Sequence, residues 1–146
     1  MTKVFIDGSA GTTGLRIVDR LSAREDLELL ILPDDLRKDA SARADALSTA
    51  DIAFLCLPDD AAREAVQLAQ DMPVKIIDTS TAHRTNDNWA YGFAELSPAH
   101  REKIANSNRI ANPGCHASGF IASVYPLVSK GLIPADFPLT AYSLTG

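Results

Sequence analysis

The chain has 146 residues, 46% of them hydrophobic and 23% charged, and carries a formal net charge of −5. That length holds one domain of ordinary size, and the acidic balance argues against a nucleic-acid partner, which needs a broad basic surface. No apolar run reaches the length of a membrane span and Lys3 is not followed by a signal-peptide core; two cysteines in unlike settings make no disulfide framework, so a reducing cytoplasm is the expected compartment.

Lys3-Val4-Phe5-Ile6-Asp7 is a continuous apolar run rather than an alternating one, the habit of strands buried on both faces of a parallel sheet. Gly8-Ser9-Ala10-Gly11-Thr12-Thr13-Gly14 follows, then a helical pattern with Leu15, Val18 and Leu21 expected inward and Arg16, Asp19 and Arg20 outward. A second strand is expected over residues 27–32, ending at Pro33-Asp34-Asp35, and a short helix within 36–49 with Ala42, Ala46 and Leu47 on its buried side. A third strand spans 52–57 up to Pro58, a helix covers 60–70 with Ala61, Ala65, Val66 and Leu68 for packing, and a fourth strand covers 74–77. Strands and helices alternating at these intervals predict a doubly wound, mainly parallel α/β sheet.

Residues 79–91 are polar, with Ser80, Thr81, His83, Arg84, Asn86 and Asn88, and read as a surface loop beyond a strand end. Ligands of open α/β sheets bind on that side. Ser97-Pro98 supplies an N-cap and a first helical position for a helix to about residue 104, and 109–111 make a fifth strand. The helix that follows Asn112-Pro113-Gly114 runs from Cys115 to about Lys130, with Gly131 at its C-terminal cap. Pro134 and Pro138 flank a turn, and another strand is expected to begin in 139–144. It has barely started when the chain reaches Gly146, so the chain reads as part of a longer protein.

Two stretches carry chemistry. The Gly8–Gly14 loop has the spacing Gly-x-x-Gly-x-x-Gly, which differs from the tighter dinucleotide fingerprint but keeps its physics. Small residues let backbone N–H groups approach a pyrophosphate, and the helix N-terminus adds a favourable dipole. Beyond the second strand, Asp34 or Asp35 would suit a ribose 2′-hydroxyl, whereas Arg37 and Lys38 would pair with a 2′-phosphate; charge alone leaves NAD and NADP open.

The second stretch is Cys115, placed on the first turn of a helix just after a strand, where unpaired N–H groups and the helix dipole favour a thiolate nucleophile. Cys56, inside an apolar run, reads instead as a small buried thiol. Arg84 in the polar loop would suit an anionic or phosphorylated substrate beside that cysteine. His83 is expected either to reach the site or to lie exposed. His116 need not face the thiol, because neighbours on a helix point about 100° apart, and His100 reads as a surface residue.

These motifs, together with Leu57-Pro58-Asp59, Asp78-Thr79-Ser80-Thr81-Ala82-His83-Arg84, Tyr91-Gly92-Phe93-Ala94-Glu95-Leu96 and Asn112-Pro113-Gly114-Cys115, resemble the N-acetyl-γ-glutamyl-phosphate reductases over essentially the whole chain. His116-Ala117, in place of Tyr-Pro, and the Ser80–Arg84 wording resemble the short form of that family. The resemblance implies a Rossmann-type NADP-binding domain over residues 1–112. Residues 113–146 would be the cysteine helix and the start of a truncated α+β substrate domain. It implies an NADPH-dependent oxidoreductase of arginine biosynthesis, which reduces an acyl phosphate to N-acetylglutamate 5-semialdehyde through a thioacyl intermediate on Cys115 and needs no metal.

On the same ground Gly8, Ser9, Ala10, Gly11, Thr12, Thr13 and Gly14 would hold the pyrophosphate. Leu57 and Pro58 would line the adenosine side, Arg37 and Lys38 would take the 2′-phosphate, and Ser80, Arg84 and Asn112 would lie near the cofactor–substrate junction. The family's general-base histidine and most of its substrate domain are expected beyond Gly146, where a self-association surface of the full-length enzyme is also expected. The 146 residues alone are therefore expected to turn over little or no substrate. Another semialdehyde dehydrogenase and a non-catalytic NADP-binding module are the competing readings.

Overall fold

The computed structural model describes residues 1–144. In chain order it contains Thr2–Asp7 (β1), Thr12–Ser22 (α1), Leu27–Leu30 (β2), Ala40–Thr49 (α2), Ile52–Leu55 (β3), Asp59–Leu68 (α3), Lys75–Asp78 (β4), Ala90–Tyr91 (β5), Pro98–Asn106 (α4), Arg109–Ala111 (β6) and Cys115–Ser129 (α5). The strands form one six-stranded sheet in the order β2-β1-β3-β4-β6-β5, and every pairing is parallel. All strand C-termini therefore lie along one edge. The order reverses between β1 and β3, because the chain goes from β1 outward to β2 and then returns past β1 to β3. Right-handed crossovers put α1 on one face of the sheet and α2 and α3 on the other, leaving a crevice above the C-terminal ends of β1 and β3.

The pleat divides the strands between the faces. Phe5, Ala53, Leu55, Ile76 and Ala111 point to the α2/α3 side and join Leu47, Ala62, Ala65, Ala69 and Trp89 in one buried cluster. The helices meet that face with alanines, which lets them lie close to the sheet. On the opposite face Val4 and Ile6 are buried, and Ile6, Phe54, Ile77 and Ile110 stand in register across four strands. α2 also buries a charge: Arg43 is 5% exposed, and its guanidinium pairs at 3.0 Å with Asp7, itself 4% exposed, at the end of β1. Burial pushes the Asp7 carboxyl up, with Arg43 opposing that shift. Deleting Arg43 alone would strand a buried carboxylate.

Several sequence expectations need correction. Leu15 is 57% exposed and not inward; α1 meets the sheet through Gly14, and the next residue round the helix is turned to solvent. β2 stops at Leu30, where its ladder with β1 ends at the Phe5–Leu30 pair, and β3 stops at Leu55. The 79–91 stretch is not all surface loop. Ser80, His83, Trp89 and Ala90 are buried, and Ala90–Tyr91 adds a short parallel strand beside β6. The strand expected over 139–144 does not form, because no neighbouring strand among the described residues offers it a ladder. Thr145 and Gly146, the last residues of the expected 113–146 segment, lie outside the described residues. The turn after Pro134 is present, with Phe137 N–H donating to the Pro134 carbonyl at 3.1 Å.

The β1–α1 junction shows why glycine is needed there. Gly8 has φ +84°, and a Cβ on it would lie 2.2 Å from the Cys56 carbonyl oxygen at the end of β3. A Cβ on Gly14 would lie 2.2 Å from the Gly8 carbonyl oxygen and 2.7 Å from Ser9 Cα. Both clashes are with backbone, which cannot swing aside. Gly14→Ala gains about 1 kcal/mol of helix propensity but forces α1 off the loop. Overpacking of this kind costs about 3 kcal/mol or more, so the clash wins. A lowered urea midpoint with an unchanged slope is the expected result.

Candidate active site

Five β-strand C-termini deliver the candidate residues to one edge. After β1, the loop from Gly8 to Gly14 folds back on itself, with Gly11 N–H donating to the Gly8 carbonyl at 3.1 Å. Ser9 is buried, while Ala10, Gly11, Thr12 and Thr13 are exposed. α1 begins at Gly11 with no side-chain cap, so its first N–H groups are left for a ligand. α2 and α4 differ in this respect. The Asp39 carboxylate accepts from Ala42 N–H, and the Ser97 hydroxyl accepts from His100 N–H, as the Ser97-Pro98 pattern predicts. α5 starts at Gly114, again without a side-chain cap. Three helices thus reach the same edge without a side-chain cap: α1 after β1, α3 after β3 with Pro58 at its N-cap, and α5 after β6.

Beside the glycine loop, Asp7, Gly8, Asp34, Arg37, Lys38 and Leu57 surround an open cavity of about 210 Å³. It sits in the β1/β3 crevice, and Pro58, next in the chain to Leu57, is exposed. Asp34 and Arg37 approach to 3.3 Å as an ion pair, but the N–H direction is wrong for a hydrogen bond, and Arg37 Nε is left buried with no acceptor. An orphaned guanidinium N–H beside Lys38 is chemistry that suits a phosphate. These residues fit a 2′-phosphorylated dinucleotide.

The β3–α3 and β4 loops are clasped together. Asp59, in the first turn of α3, accepts from Thr81 N–H at 2.9 Å and from the Thr81 hydroxyl. Those two bonds hold the Asp59 carboxyl below the usual carboxylate range. A depressed pKa means the clasp stabilises the fold fully above the unfolded value and is lost as pH falls through the folded one. Asp59→Asn should therefore lower thermal stability at pH 7, with the difference from wild type shrinking below about pH 4. A difference that is flat or growing toward acid would show that the clasp does not matter.

Asp78, at the end of β4, is 0% exposed and accepts three hydrogen bonds: from Ser80 N–H at 2.9 Å, from the Ser80 hydroxyl at 2.7 Å and from His83 Nδ1 at 2.6 Å. His83 is 8% exposed and stacks on Trp89 with ring centroids 4.1 Å apart. It is not exposed, contrary to one of the two sequence expectations. Arg84, next in the chain, donates from Nε to the Asn112 carbonyl and from Nη2 to the Thr79 carbonyl, both at 3.0 Å. Its Nη1 lies against Gly114, only 2.6 Å from where a Cβ would stand. The exposed Asn112 donates its backbone N–H to the Asp78 carbonyl at 2.8 Å.

That turn delivers Cys115 as the first residue of α5, exposed and free. Cys56 is half-buried, and burial pushes its thiol up to about 11, with a hydrogen bond from Thr79 opposing. The remaining histidines are engaged elsewhere: His116 Nδ1 with the Ser143 hydroxyl and His100 Nδ1 with Ser97 at 2.8 Å. The structure thus gathers Gly8, Leu57, Arg37 and Lys38 in one group and Arg84, Asn112 and Cys115 in another. Sequence reasoning gave no roles to Asp7, Arg43, Asp59, Asp78 or Trp89. Only Asp78 carried a local signal, the Asp-x-Ser spacing of a side-chain turn.

Residues 32–106 match the family model described as semialdehyde dehydrogenase, NAD binding domain. Similar curated proteins include an N-acetyl-gamma-glutamyl-phosphate reductase of Trichormus variabilis, 54% identical over 144 residues, covering 99% of this chain and 45% of the relative. One from Chelativorans sp. is 55% identical over 144 residues, covering 99% and 46%. The chain therefore spans about half the length of these relatives. Among solved structures, the aspartate semialdehyde dehydrogenase of Francisella tularensis superposes with a TM-score of 0.69 at 19% identity, over 90% of this chain and 42% of that one. The Candida albicans enzyme with NADP gives 0.65 at 16% identity, over 89% and 47%. At such identities the likeness is one of fold.

Proposed function

Since this chain belongs to the semialdehyde dehydrogenase NAD-binding-domain family, we propose that it is the NADP-binding and cysteine-bearing part of an N-acetyl-γ-glutamyl-phosphate reductase. The observation that carries the reading is Cys115, an exposed thiol at the start of an uncapped helix on the same sheet edge as the glycine loop. β1 and β6 are three strand spacings apart in the sheet, roughly 14 Å. A dinucleotide held along the edge from the β1/β3 crevice would extend its nicotinamide end toward the thiol.

In this reading the exposed glycine-loop N–H groups take the pyrophosphate, Leu57 and Pro58 flank the adenosine, and Arg37 with Lys38 holds the 2′-phosphate. Ser80 and Asn112 border the junction with substrate. The Cys115 thiolate attacks the acyl-phosphate carbonyl carbon, a C–S bond forms, the C–O bond to phosphorus breaks and inorganic phosphate leaves. The N–H groups at the start of α5 stabilise the negative charge that develops on the carbonyl oxygen, and the Arg84 charge assists the departing phosphate. NADPH, when bound, supplies the hydride that brings the thioacyl carbon to the aldehyde level. The Cys115 sulfur leaves that carbon and recovers its charge or a proton. The recorded bonds of His83, His100 and His116 run to Asp78, Ser97 and Ser143, and the family resemblance assigns the proton-transfer histidine to the part of the relatives' length that this chain does not span. Self-association and a cytoplasmic setting belong to the same proposal; among the described residues no helix is long and apolar enough to cross a membrane.

The test is substrate choice by the full-length enzyme. NADPH oxidation should require N-acetylglutamyl phosphate and be far slower with aspartyl phosphate. The reverse preference would make it an aspartate-type semialdehyde dehydrogenase, and no oxidation with either would favour a nucleotide-binding module.

A further inference from the structure

A closed circuit of contacts begins and ends at Asp78. Its buried carboxylate accepts from His83 Nδ1 at 2.6 Å and from Ser80 twice. His83 is succeeded by Arg84, whose guanidinium bonds the Asn112 carbonyl at 3.0 Å and touches Gly114. Asn112 returns its N–H to the Asp78 carbonyl at 2.8 Å. Trp89 stacks on the far face of the His83 ring, and Asp59 pins Thr81 from the side. Ser80 also accepts from Ala82 N–H at 3.1 Å. Residues 80, 81 and 83 are thus each held by a side chain, and Arg84 has little freedom left.

Such a buried polar cluster is costly compared with apolar packing, and what it returns is a single geometry. The geometry it defines here is the angle at which the Asn112–Gly114 turn launches α5. We propose that His83 is a positioning residue for the thiol step: held by Asp78 and Trp89, it fixes Arg84, and Arg84 fixes the direction of Cys115. This rests on the reading of Cys115 as the nucleophile. It assigns His83 no contact with substrate or cofactor and no proton transfer. Displacements of about 1 Å in a reacting group cost on the order of 10²-fold in rate, so a loosened turn should be visible in kcat.

The test uses the full-length enzyme with His83→Leu, which removes the donor to Asp78, and His83→Asn, which keeps one at nearly the same place. His83→Leu should lower kcat by roughly 10- to 100-fold, and His83→Asn should recover most of the loss. NADPH affinity should stay within about twofold in both, because neither variant alters the glycine loop or Arg37 and both leave Ser80 its two bonds to Asp78. An unchanged kcat in His83→Leu, equal impairment of the two variants, or a parallel loss of NADPH affinity would each overturn the proposal. If His83→Leu does not fold, Trp89→Leu against Trp89→Phe, which removes and keeps the ring stacked on His83, carries the same comparison. The rate of Cys115 alkylation by iodoacetamide, followed by mass spectrometry, is read alongside. It should change at least threefold in the Leu variant and return toward wild type in the Asn variant. That readout holds even for a protein inactive on acyl phosphates, so failure of the functional reading and failure of the positioning role are told apart.

Discussion

Cys115→Ser in the full-length enzyme is expected to lower acyl-phosphate reduction by on the order of 10³-fold or more, with NADPH affinity unchanged. A serine hydroxyl is a far weaker nucleophile than a thiolate when no adjacent base activates it. Among the described residues the recorded bonds of the histidines run from His83 to Asp78, from His100 to Ser97 and from His116 to Ser143, and none runs to Cys115. Cys56→Ser is the control. Its thiol is half-buried and pushed up to about 11, so it contributes little thiolate at neutral pH, and its replacement should leave kcat within a few-fold. Steady-state kinetics of both variants beside a direct NADPH titration makes the comparison. Loss of turnover in Cys56→Ser with retention in Cys115→Ser would reverse the assignment.

The second large effect concerns the cofactor. Arg37→Ala/Lys38→Ala should weaken NADPH by about 10²-fold, close to 2.7 kcal/mol, and leave NADH nearly unaffected. Two charge-assisted bonds to a phosphate would be worth more than this if both were buried. Arg37 is 37% exposed and partly offset by Asp34 at 3.3 Å, and solvent screening reduces the total. What keeps the effect large is the buried Arg37 Nε, which has no acceptor in the protein. Calorimetric titration of NADPH and NADH into wild type and the double variant measures it. A wild-type preference for NADH would return the role to Asp34 or Asp35.

Most of the architecture was legible because it rests on local rules. Continuous apolar strands, Ser97-Pro98 ahead of α4, Gly131 after α5 and the strand–turn–helix around Asn112-Pro113-Gly114-Cys115 each carry their own chemistry. The failures share a cause: they depend on what a residue meets across the fold. Leu15 looks inward by periodicity, yet Gly14 is the contact because α1 approaches the Gly8 carbonyl more closely than any side chain allows. Residues 79–91 look like solvated loop by composition, yet Asp78 draws Ser80 and His83 inside, and Trp89 covers the ring. Polar residues that satisfy one another read as surface until their partners are known.

The candidate site divides the same way. The glycine loop and Cys115 were visible as motifs, and Arg37 and Lys38 as charges beyond a strand. That Arg37 and Lys38 share a cavity with Gly8 and Leu57 follows from the β1/β3 crossing and was not visible in either stretch alone. Arg84 stood out as a cation near the cysteine. Its contacts give it a second part, holding the turn through the carbonyls of Thr79 and Asn112. Nothing in the sequence pairs position 84 with position 112.

The most direct measurement follows the acyl group. Full-length enzyme mixed with N-acetylglutamyl phosphate in the absence of NADPH has no hydride donor, so the thioacyl species should accumulate. Acid quench, digestion and mass spectrometry should then find the acetylglutamyl mass on the peptide bearing Cys115, absent in Cys115→Ser and absent from the peptide bearing Cys56. An unmodified Cys115 peptide in wild-type enzyme that goes on to reduce the same substrate when NADPH is added, or an acyl group carried by Cys56, would contradict the account.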